Sequence, residues 1–511
     1  MFDRKYLRGD ENLPFNSDPQ TADDLYKTLL PLLLPVTHEP LWFLRNRGTC
    51  TPDDERRDKE CVSIENIDRM EKLGIQVPKR VFFFKGFGLQ RERPYIEKTI
   101  QYARELHKRN MFVSVYVGGT MFTDYFFKEV PEARHWARVD MDGLPVTYAG
   151  YQLQRWFPCL NNPDYRSYMK KVLDVAIKEV DADEIFFDNQ ILRHEPRSCR
   201  CDYCVRHLRD MIKKKYSLAD CEQRYGLPEY PDVMPPVFSQ ANKPWRLDRI
   251  VTPQIQDWID HRVSTVVEFY QEMAQHVKAM KPSCAVGMNI KGIHGHNRAF
   301  DHGISHGHFA GILDFTCIDG YRPGRIKKSG AFWSEVRLYK QTHSTNIAVV
   351  DGSSNDLPNV EAMVFAHHPL LNGHGRLGAD LQPVTPITRF LAGRRQLFYD
   401  RPHCADIAVL RSEPSTNYNC AKVHEQLMAF EQTLAVEKLP WTIIFDKNIK
   451  TISNHRVIAL PEIQAISDQW LDALDAFMKS CGAVLATGGA GDFHDWYRPL
   501  PPQHDLDTSG I

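Results

Sequence analysis

The stretch "DADEIFFDNQ" at residues 181–190 ends an apolar run on a carboxylate, Asp188, which two amides follow, Asn189 and Gln190. Other apolar runs rich in β-formers alternate with amphipathic helical patterns along residues 1–400: "LWFLR" (41–45), "RVFFFKG" (80–86), "MFVSVYVGG" (111–119), "AVGMNI" (285–290), "LDFTCIDG" (313–320) and "NIAVVDGSS" (346–354). Strands that alternate with helices in this way predict a parallel sheet covered by helices.

With an eighth strand placed near "GRLGAD" (375–380), these units favour a (β/α)₈ TIM barrel over 1–400. No GxGxxG turn follows the first strand, which argues against an open dinucleotide-binding sheet. Over 401–511 the pattern restarts and predicts a smaller, doubly wound α/β domain that ends before its sheet is complete. Its predicted strands are "CADIAVLRS" (404–412), "WTIIFD" (441–446), "HRVIALPE" (455–462) and "GAVLATGG" (482–489).

Charge and hydropathy exclude several classes of partner. The 64 basic and 65 acidic side chains nearly cancel, so nothing indicates nucleic acid or an anionic membrane as partner. The first twenty residues have no apolar core behind their charges, and "LLPLLLPV" is much shorter than a membrane span. A cytoplasmic location is the resulting expectation.

Polar residues close several of the predicted strands: Asp188, Asn289, Asp319 and Asp351. TIM barrels carry their chemistry at the carboxyl ends of the strands. The alternative is that such residues begin loops and cap helices. Asp188 and Asp319 each close a strongly apolar run, which favours them as site residues.

Three cysteines, Cys199, Cys201 and Cys204, form a C-x-C-x₂-C array. Structural zinc takes four ligands in a tetrahedron and thiolates suit it, so this spacing predicts a zinc site rather than three unrelated thiols. A fourth ligand must come from elsewhere in the chain. Spacing alone leaves four candidates open: Cys50, Cys61, Cys159 and Cys221.

The segments "RWFPCLNNPDYRSYMKKVLDVAIKE", "FFDNQ" and "CRCDYCVRHLRDMIKKKYSLADCEQRYG" resemble the region around the fourth barrel strand of the glycoside hydrolase family 42 β-galactosidases. The resemblance implies that Cys159 is the fourth ligand of a closed, structural zinc site. It also implies that 401–511 is similar to the amidotransferase-like trimerisation domain of that family, and hence that the chain forms a homo-oligomer, with a trimer as the expected form.

The sequence departs from that family at the residues that matter for catalysis. The family's fourth strand ends in Asn-Glu, whose glutamate is the general acid/base, whereas this chain has Asn189 and Gln190. An amide cannot exchange protons in that role. The family's nucleophilic glutamate on the seventh strand corresponds to Asp351. "IFFDN" is also similar to the "WFD" context of the family 29 α-L-fucosidases, whose nucleophilic aspartate ends the fourth strand.

The resulting prediction is a glycoside hydrolase that cleaves an O-glycosidic bond of an oligosaccharide or glycoside. Two carboxyl groups must flank that bond. We expect Asp188 to be nucleophile or base and Asp319 its partner, with Glu335 and Asp351 competing for the second role. Glu335 lies in a helical pattern that is also typical of a solvated or capping glutamate.

The predicted substrate-binding residues surround that pair. They comprise polar residues of the rim and aromatic residues: Asn189, Gln190, Asn289, His294, Arg298, Tyr116 and Trp156. Tyr116 and Trp156 are candidate stacking platforms, as is Trp333. The histidines of the loop at 294–308 are expected to bind sugar hydroxyls rather than metal, and the aromatic residues could equally be core residues. The alternative function is a non-catalytic carbohydrate-binding or sensing protein that has lost its acid/base at Gln190.

Overall fold

The protein is described here from a computed structural model. The described residues are 20–22, 25, 32–35, 39–72, 75–79, 81–148, 152–238, 247–290, 292–293, 295–318, 325–326, 332–333, 336–351, 360–361, 364–366, 369–372, 390 and 404–500.

In the described part of the chain, eight parallel strands form the larger sheet. They are β1 (Leu32–Pro35), β2 in two segments (Val77–Lys79 and Val81–Phe84), β3 (Ser114–Gly118), β4 (Glu184–Asp188), β5 (Ala285–Met288), β6 (Phe315–Ile318), β7 (Ala348–Asp351) and β8 (Pro369–Asn372). Neighbours pair in chain order, and β8 pairs with β1. The first segment of β2 pairs with β1 and the second with β3, so the order closes on itself as in a barrel.

Helices separate these strands. They are α1 (Leu41–Asn46), α2 (Pro52–Cys61), α3 (Ile64–Lys72), α4 (Leu89–His107), α5 (Thr123–Glu129), α6 (Pro163–Lys178), α7 (Asp202–Lys215), α8 (Leu218–Tyr225), α9 (Pro253–Met280), α10 (Arg298–His302), α11 (Arg337–Lys340) and α12 (Thr342–Thr345). Short 3₁₀ helices cover Pro131–Trp136 and His306–Phe309. Two short pairs of antiparallel strands lie in the loops: Met121–Phe122 with Arg155–Trp156, and Arg325–Ile326 with Phe332–Trp333.

The first and last strands differ from the sequence prediction. The predicted strand at 41–45 is wrong, because Leu41–Asn46 is a helix that begins after Pro40, and the first strand is Leu32–Pro35. A proline just before a helix restricts the entering chain without removing a hydrogen bond from the helix interior. The last barrel strand is Pro369–Asn372, and the predicted position at 375–380 lies outside the described residues.

The alternation along β4 directs its last residue into the barrel. Phe186 packs with Tyr116 and Phe315 in a cluster inside the sheet, whereas Ile185 and Phe187 pack in the larger core between sheet and helices. Side chains two residues apart on a strand share a face. Asp188 therefore lies on the inner face at the carboxyl end of β4.

A second parallel sheet follows the barrel, with β9 (Ile407–Arg411), β10 (Trp441–Phe445), β11 (Val457–Pro461) and β12 (Ala483–Thr487) in the order β10-β9-β11-β12. Helices α13 (Glu413–Asn417), α14 (Lys422–Val436) and α15 (Asp468–Lys479), the 3₁₀ segment Asp446–Asn454 and the short pair Ala465–Ile466 with Phe493–His494 complete this unit. The fold is thus α/β with two parallel sheets.

Candidate functional site

Asp188 is the centre of the site. Its Oδ2 accepts hydrogen bonds of 2.7 Å from the Tyr116 hydroxyl and 2.7 Å from Asn189 Nδ2. Its Oδ1 lies 3.4 Å from Nδ2 of Asn289, which follows β5. Donors to the charged form of a carboxylate favour its ionisation and fix its orientation. The structure therefore brings together four of the predicted site residues around one part-buried carboxylate.

The chain turns sharply directly after Asp188. Asn189 has a positive φ of 69°, a conformation that asparagine tolerates better than most residues. This turn places Gln190 inward, where it is 0% exposed and lies beside the hydroxyl of Tyr165. A Cβ at Gly119 would lie 2.7 Å from Cγ of Gln190, so the backbone there passes too close for any other residue. Gln190 is consequently a packed residue behind the carboxylate.

Tyr116 connects Asp188 to a buried lysine that the sequence did not single out. Nζ of Lys85 lies 3.4 Å from the Tyr116 hydroxyl and within 5 Å of three ring centroids, at 4.4 Å for Phe43, 4.9 Å for Phe82 and 4.7 Å for Tyr116. Burial lowers the pKa of Lys85, and the charge of Asp188 opposes that shift only in part. Burial, and then the same charge, raises the pKa of Tyr116 well above its usual range.

Glu39 is a second carboxylate of this region. Its Oε1 lies 3.1 Å from Nζ of Lys85 and its Oε2 lies 3.0 Å from Arg47. Successive contacts of 3.1, 3.4 and 2.7 Å place the Glu39 and Asp188 oxygens no more than about 9 Å apart, within the span of carboxyl pairs in glycosidases. The sequence signal that could have found Glu39 is its position shortly after the apolar run "LLLPV". That signal requires the run to be assigned as the first strand.

Glu92 on α4 fixes the loop that carries Lys85. Its carboxylate accepts three backbone hydrogen bonds, from the amides of Lys85 at 2.7 Å, Gly86 at 2.8 Å and Phe87 at 2.7 Å. Burial raises the pKa of Glu92 to about 7, against the lowering effect of those donors. The loop after β2 is thereby held by the helix that follows it.

Arg155 and Trp156 lie beside this cluster. The Arg155 guanidinium donates to Thr120 Oγ1 at 3.2 Å and to Gln152 Oε1 at 2.8 Å, and lies 3.8 Å from the ring centroid of Tyr148. Burial lowers its pKa, and the phenol of Tyr116 and the carboxylate of Asp188 oppose that shift. The half-buried indole of Trp156 donates to the Leu153 carbonyl at 3.1 Å, so it lies at the edge of the same region.

The histidine-rich loop reaches the second sheet. Nδ1 of His308 lies 3.0 Å from Oε1 of Glu413, and Nζ of Lys447 lies 3.4 Å from the His308 carbonyl. Arg298, at the start of α10, donates to the Gly292 carbonyl at 3.2 Å. This part of the predicted rim therefore includes contacts between the two units of the chain.

Several predicted site residues lie beyond what the structure describes. Asp319, Glu335 and His294 are outside the described residues, and of Asp351 only the backbone is described. That backbone ends β7 and pairs with Ile318 of β6. Asp351 thus shares the carboxyl rim of the sheet with Asp188.

The four predicted cysteine ligands converge. Their sulfur atoms all lie within 4.8 Å of one another, with Cys159 Sγ 3.5 Å from both Cys204 Sγ and Cys201 Sγ. Cys199 completes the group, and three of the four thiols are buried. The cluster is a plausible metal site.

Two neighbours of this cysteine cluster carry hydrogen-bond donors. Asn161 Nδ2 lies 3.4 Å from Cys204 Sγ. The fully buried Arg138 donates to the carbonyl of Pro158, the residue before Cys159, at 2.8 Å and to the Ile191 carbonyl at 2.7 Å. The cluster therefore has a cation beside it.

Comparison with known proteins gives a family match for most of the barrel. Residues 105–353, which run from α4 to just beyond β7, match the Glyco_hydro_42 family, described as beta-galactosidase. This segment of the barrel is similar to glycoside hydrolase family 42. A search of curated proteins finds no match to the chain.

Solved structures of the family share the fold at low sequence identity. A β-galactosidase from Bacillus circulans sp. alkalophilus is similar with a TM-score of 0.65 and 14% identity, over 86% of this chain and 71% of that one. An exo-carrageenase of family 42 from Bacteroides ovatus gives a TM-score of 0.55 and 11% identity, over 76% of this chain and 59% of that one.

A further similar structure is α-L-fucosidase isoenzyme 2 from Paenibacillus thiaminolyticus, with a TM-score of 0.52 and 17% identity, over 86% of this chain and 63% of that one. At such identities the similarity establishes the fold. In the described part of the chain, no helix is both long and apolar enough to cross a membrane.

Proposed function

We propose that this protein is a glycoside hydrolase that cleaves an O-glycosidic bond of an oligosaccharide or glycoside at the carboxyl face of the barrel. The observation that carries the proposal is the Asp188 carboxylate, which ends β4 on the inner face and accepts hydrogen bonds from Tyr116 and Asn189. The similar structures include a β-galactosidase, a fucosidase and a carrageenase, so the fold leaves the sugar open.

Asp188 acts in this proposal as nucleophile or base, and a second carboxyl group completes the pair across the scissile bond. Asp319 is the first candidate, with Glu335 and Asp351 as alternatives. The sugar groups are bound by the polar residues of the rim, with Asn289, Arg298 and His294 as contributors and Tyr116 and Trp156 as aromatic neighbours.

The experiment is a screen of aryl glycosides, followed by NMR of the first product anomer. Asp188→Asn is expected to lower kcat by roughly 10³-fold or more while the fold is retained. Asp314→Asn, at the opposite end of the barrel, is the matched control, because the Asp314 carboxylate contacts the Val286 amide and Lys278, away from Asp188. Near-normal turnover of Asp188→Asn on the best substrate would contradict the assignment.

One observation favours a second candidate function, a non-catalytic carbohydrate-binding protein. The family's acid/base position is occupied here by Gln190, a buried amide that cannot exchange protons in that role. In that case calorimetry would show saturable binding of a glycoside that the protein leaves intact, and Asp188→Asn would change affinity without any change in turnover.

We infer that the cysteine cluster holds structural zinc. Thiolates about 2.3 Å from a tetrahedral zinc lie about 3.8 Å apart. Two sulfur pairs at 3.5 Å and a largest separation of 4.8 Å fit that arrangement. Four thiolates around Zn²⁺ carry two net negative charges, and the single positive charge of the buried Arg138 guanidinium beside the cluster offsets one of them. Bound zinc would join the loop before α6 to the start of α7.

We also propose that the second unit is an amidotransferase-like domain through which the chain forms a homo-oligomer, with a trimer as the expected form. The support is the parallel sheet β10-β9-β11-β12 together with the resemblance to the trimerisation domain. Light scattering at micromolar concentration tests it, and a monomer mass would refute it.

A further inference from the structure

A continuous series of polar contacts runs from the loop after β1 to the end of β4. Glu39 Oε1 is 3.1 Å from Lys85 Nζ, which is 3.4 Å from the Tyr116 hydroxyl, which in turn donates at 2.7 Å to Asp188 Oδ2. Four elements of the barrel contribute one residue each. No pair of these residues is close in sequence, so the contacts are a product of the closed sheet.

Lys85 is the least expected member of this series. The residue is 4% exposed, and an ammonium removed from water in this way is costly unless it is paired. Three aromatic rings and Glu39 surround it, and the three hydrogen bonds to the Glu92 carboxylate hold its loop.

The groups that face Asp188 give its surroundings a positive bias. Among the described residues, the titratable groups that interact with its charge include Tyr116 from β3, Lys85 from the loop after β2, Arg155 before α6 and Tyr270 from α9. Two of these groups are cations and two are phenols that burial keeps protonated.

We infer that Lys85 is a positioning residue that acts through Tyr116: the Glu39–Lys85 ion pair holds the Tyr116 hydroxyl on Asp188, and the hydrogen bond from that hydroxyl stabilises the carboxylate and orients it for reaction. The inference deepens the proposed function and rests on it, because the reaction in question is the proposed hydrolysis of a glycoside. The state of the Asp188 carboxylate, however, can be measured without any turnover.

The test is chemical labelling of carboxyl groups as a function of pH. A water-soluble carbodiimide with glycine ethyl ester modifies protonated carboxyls, and mass spectrometry of the peptide that contains Asp188 gives the labelled fraction. Tyr116→Phe and Lys85→Met are each expected to move the labelling midpoint of Asp188 up by about one pH unit, a tenfold rise in the protonated fraction above both midpoints.

Matched controls are available within the chain. Tyr102→Phe removes the hydroxyl of another buried tyrosine, on α4. Lys340→Met removes another buried lysine, 4.8 Å from the ring of Trp441 and 5.0 Å from that of Phe365. Both controls are expected to keep the labelling midpoint of the unmodified protein. Lys85→Arg keeps the positive charge and is expected to keep that midpoint too. If Lys85→Met does not fold, the comparison of Tyr116→Phe with Lys85→Arg takes its place.

Wild-type midpoints in both Tyr116→Phe and Lys85→Met would overturn the inference, as would an equal shift in the two controls. Failure of the proposed function has a different signature. If Asp188→Asn hydrolyses glycosides normally, or if no glycoside is hydrolysed at all, the proposed function fails while the labelling profile still decides whether the Glu39–Lys85–Tyr116 series acts on Asp188. If the pH profile of kcat/KM shifts in parallel with the labelling midpoint, the carboxylate that is labelled is also the one on which hydrolysis depends.

Discussion

The phenol of Tyr116 donates a 2.7 Å hydrogen bond to Asp188 from the neighbouring strand. The paired residue of Tyr116 on β4 is Phe186, two positions before Asp188, so phenol and carboxylate lie on the same inner face. A tyrosine in this position contributes a hydroxyl without occupying the mouth of the barrel.

Tyr116→Phe is expected to lower kcat/KM by about 10- to 100-fold, since a hydrogen bond to a charged group contributes about 1.5–3 kcal/mol. The melting temperature should change little, because the ring and its packing against Phe82 remain. Steady-state kinetics on the best aryl glycoside, with Tyr102→Phe as control, checks this. A loss confined to KM would show instead that the hydroxyl binds substrate.

Glu39→Gln is expected to move the alkaline limb of the kcat/KM profile to lower pH. Burial lowers the pKa of Lys85 and the charge of Glu39 opposes that shift, so its removal lowers the pKa further. The ammonium then loses its proton at a lower pH, and the active form disappears sooner as the pH rises. Glu55→Gln, which breaks the exposed pair with Arg45, should leave the limb in place. An upward shift would contradict the argument.

Metal analysis of the purified protein is expected to give about one zinc per chain, as a four-thiolate site requires. Cys159→Ser should lose most of that zinc and lower the melting temperature, because zinc binding and folding are coupled. Cys221→Ser is the matched control, since Cys221 is also buried but lies outside the cluster. Retention of zinc in Cys159→Ser, or its loss in Cys221→Ser, would show that the fourth ligand is misassigned.

Asp183, just before β4, is expected to make the fold sensitive to acid. Burial alone would raise its pKa, but hydrogen bonding from His107 and the charge of Lys281 lower it below the ordinary value. The resulting stability is complete above about pH 4 and is lost as the pH falls through the lower pKa of the folded protein.

Urea denaturation between about pH 2 and pH 6 measures this effect. These limits lie about two pH units below and above the pKa of an ordinary aspartate. Asp183→Asn should be less stable by about 1–3 kcal/mol above pH 4 and should lose less on acidification. Asp181→Asn, at an exposed partner of the same Lys281, is expected to stay within about 1 kcal/mol of the unmodified protein. Equal acid sensitivity in Asp183→Asn and the unmodified protein would exclude Asp183 as the source.

Much of the barrel was predictable because its strands are uninterrupted apolar runs between helices, and β3 to β7 lie within the predicted positions. The first strand was missed because "LLPLLLPV" was considered only as a membrane span, and "LWFLR" has a strand-like composition although it forms α1. Short apolar runs do not distinguish the two states by periodicity.

The site was predictable only in part. Asp188 follows from its position at a strand end, and the cysteine array follows from its spacing, with Cys159 contributed by the family resemblance. Glu39 was missed because the apolar run before it was not assigned as a strand, and the role of Lys85 follows from its contacts with Glu39 and Tyr116, which sequence position does not show. The burial of Gln190 depends on the left-handed turn at Asn189, which sequence spacing does not show.

The barrel and the second sheet share a hydrophobic core. Val336, Leu338 and Tyr339, around α11, pack in one cluster with the strands of the second sheet, and Nε of Arg337 lies 2.9 Å from Oε2 of the buried Glu431 on α14. Heat should therefore melt both units in one cooperative calorimetric transition, and a protease that cleaves one unit should leave the other unable to hold its shape.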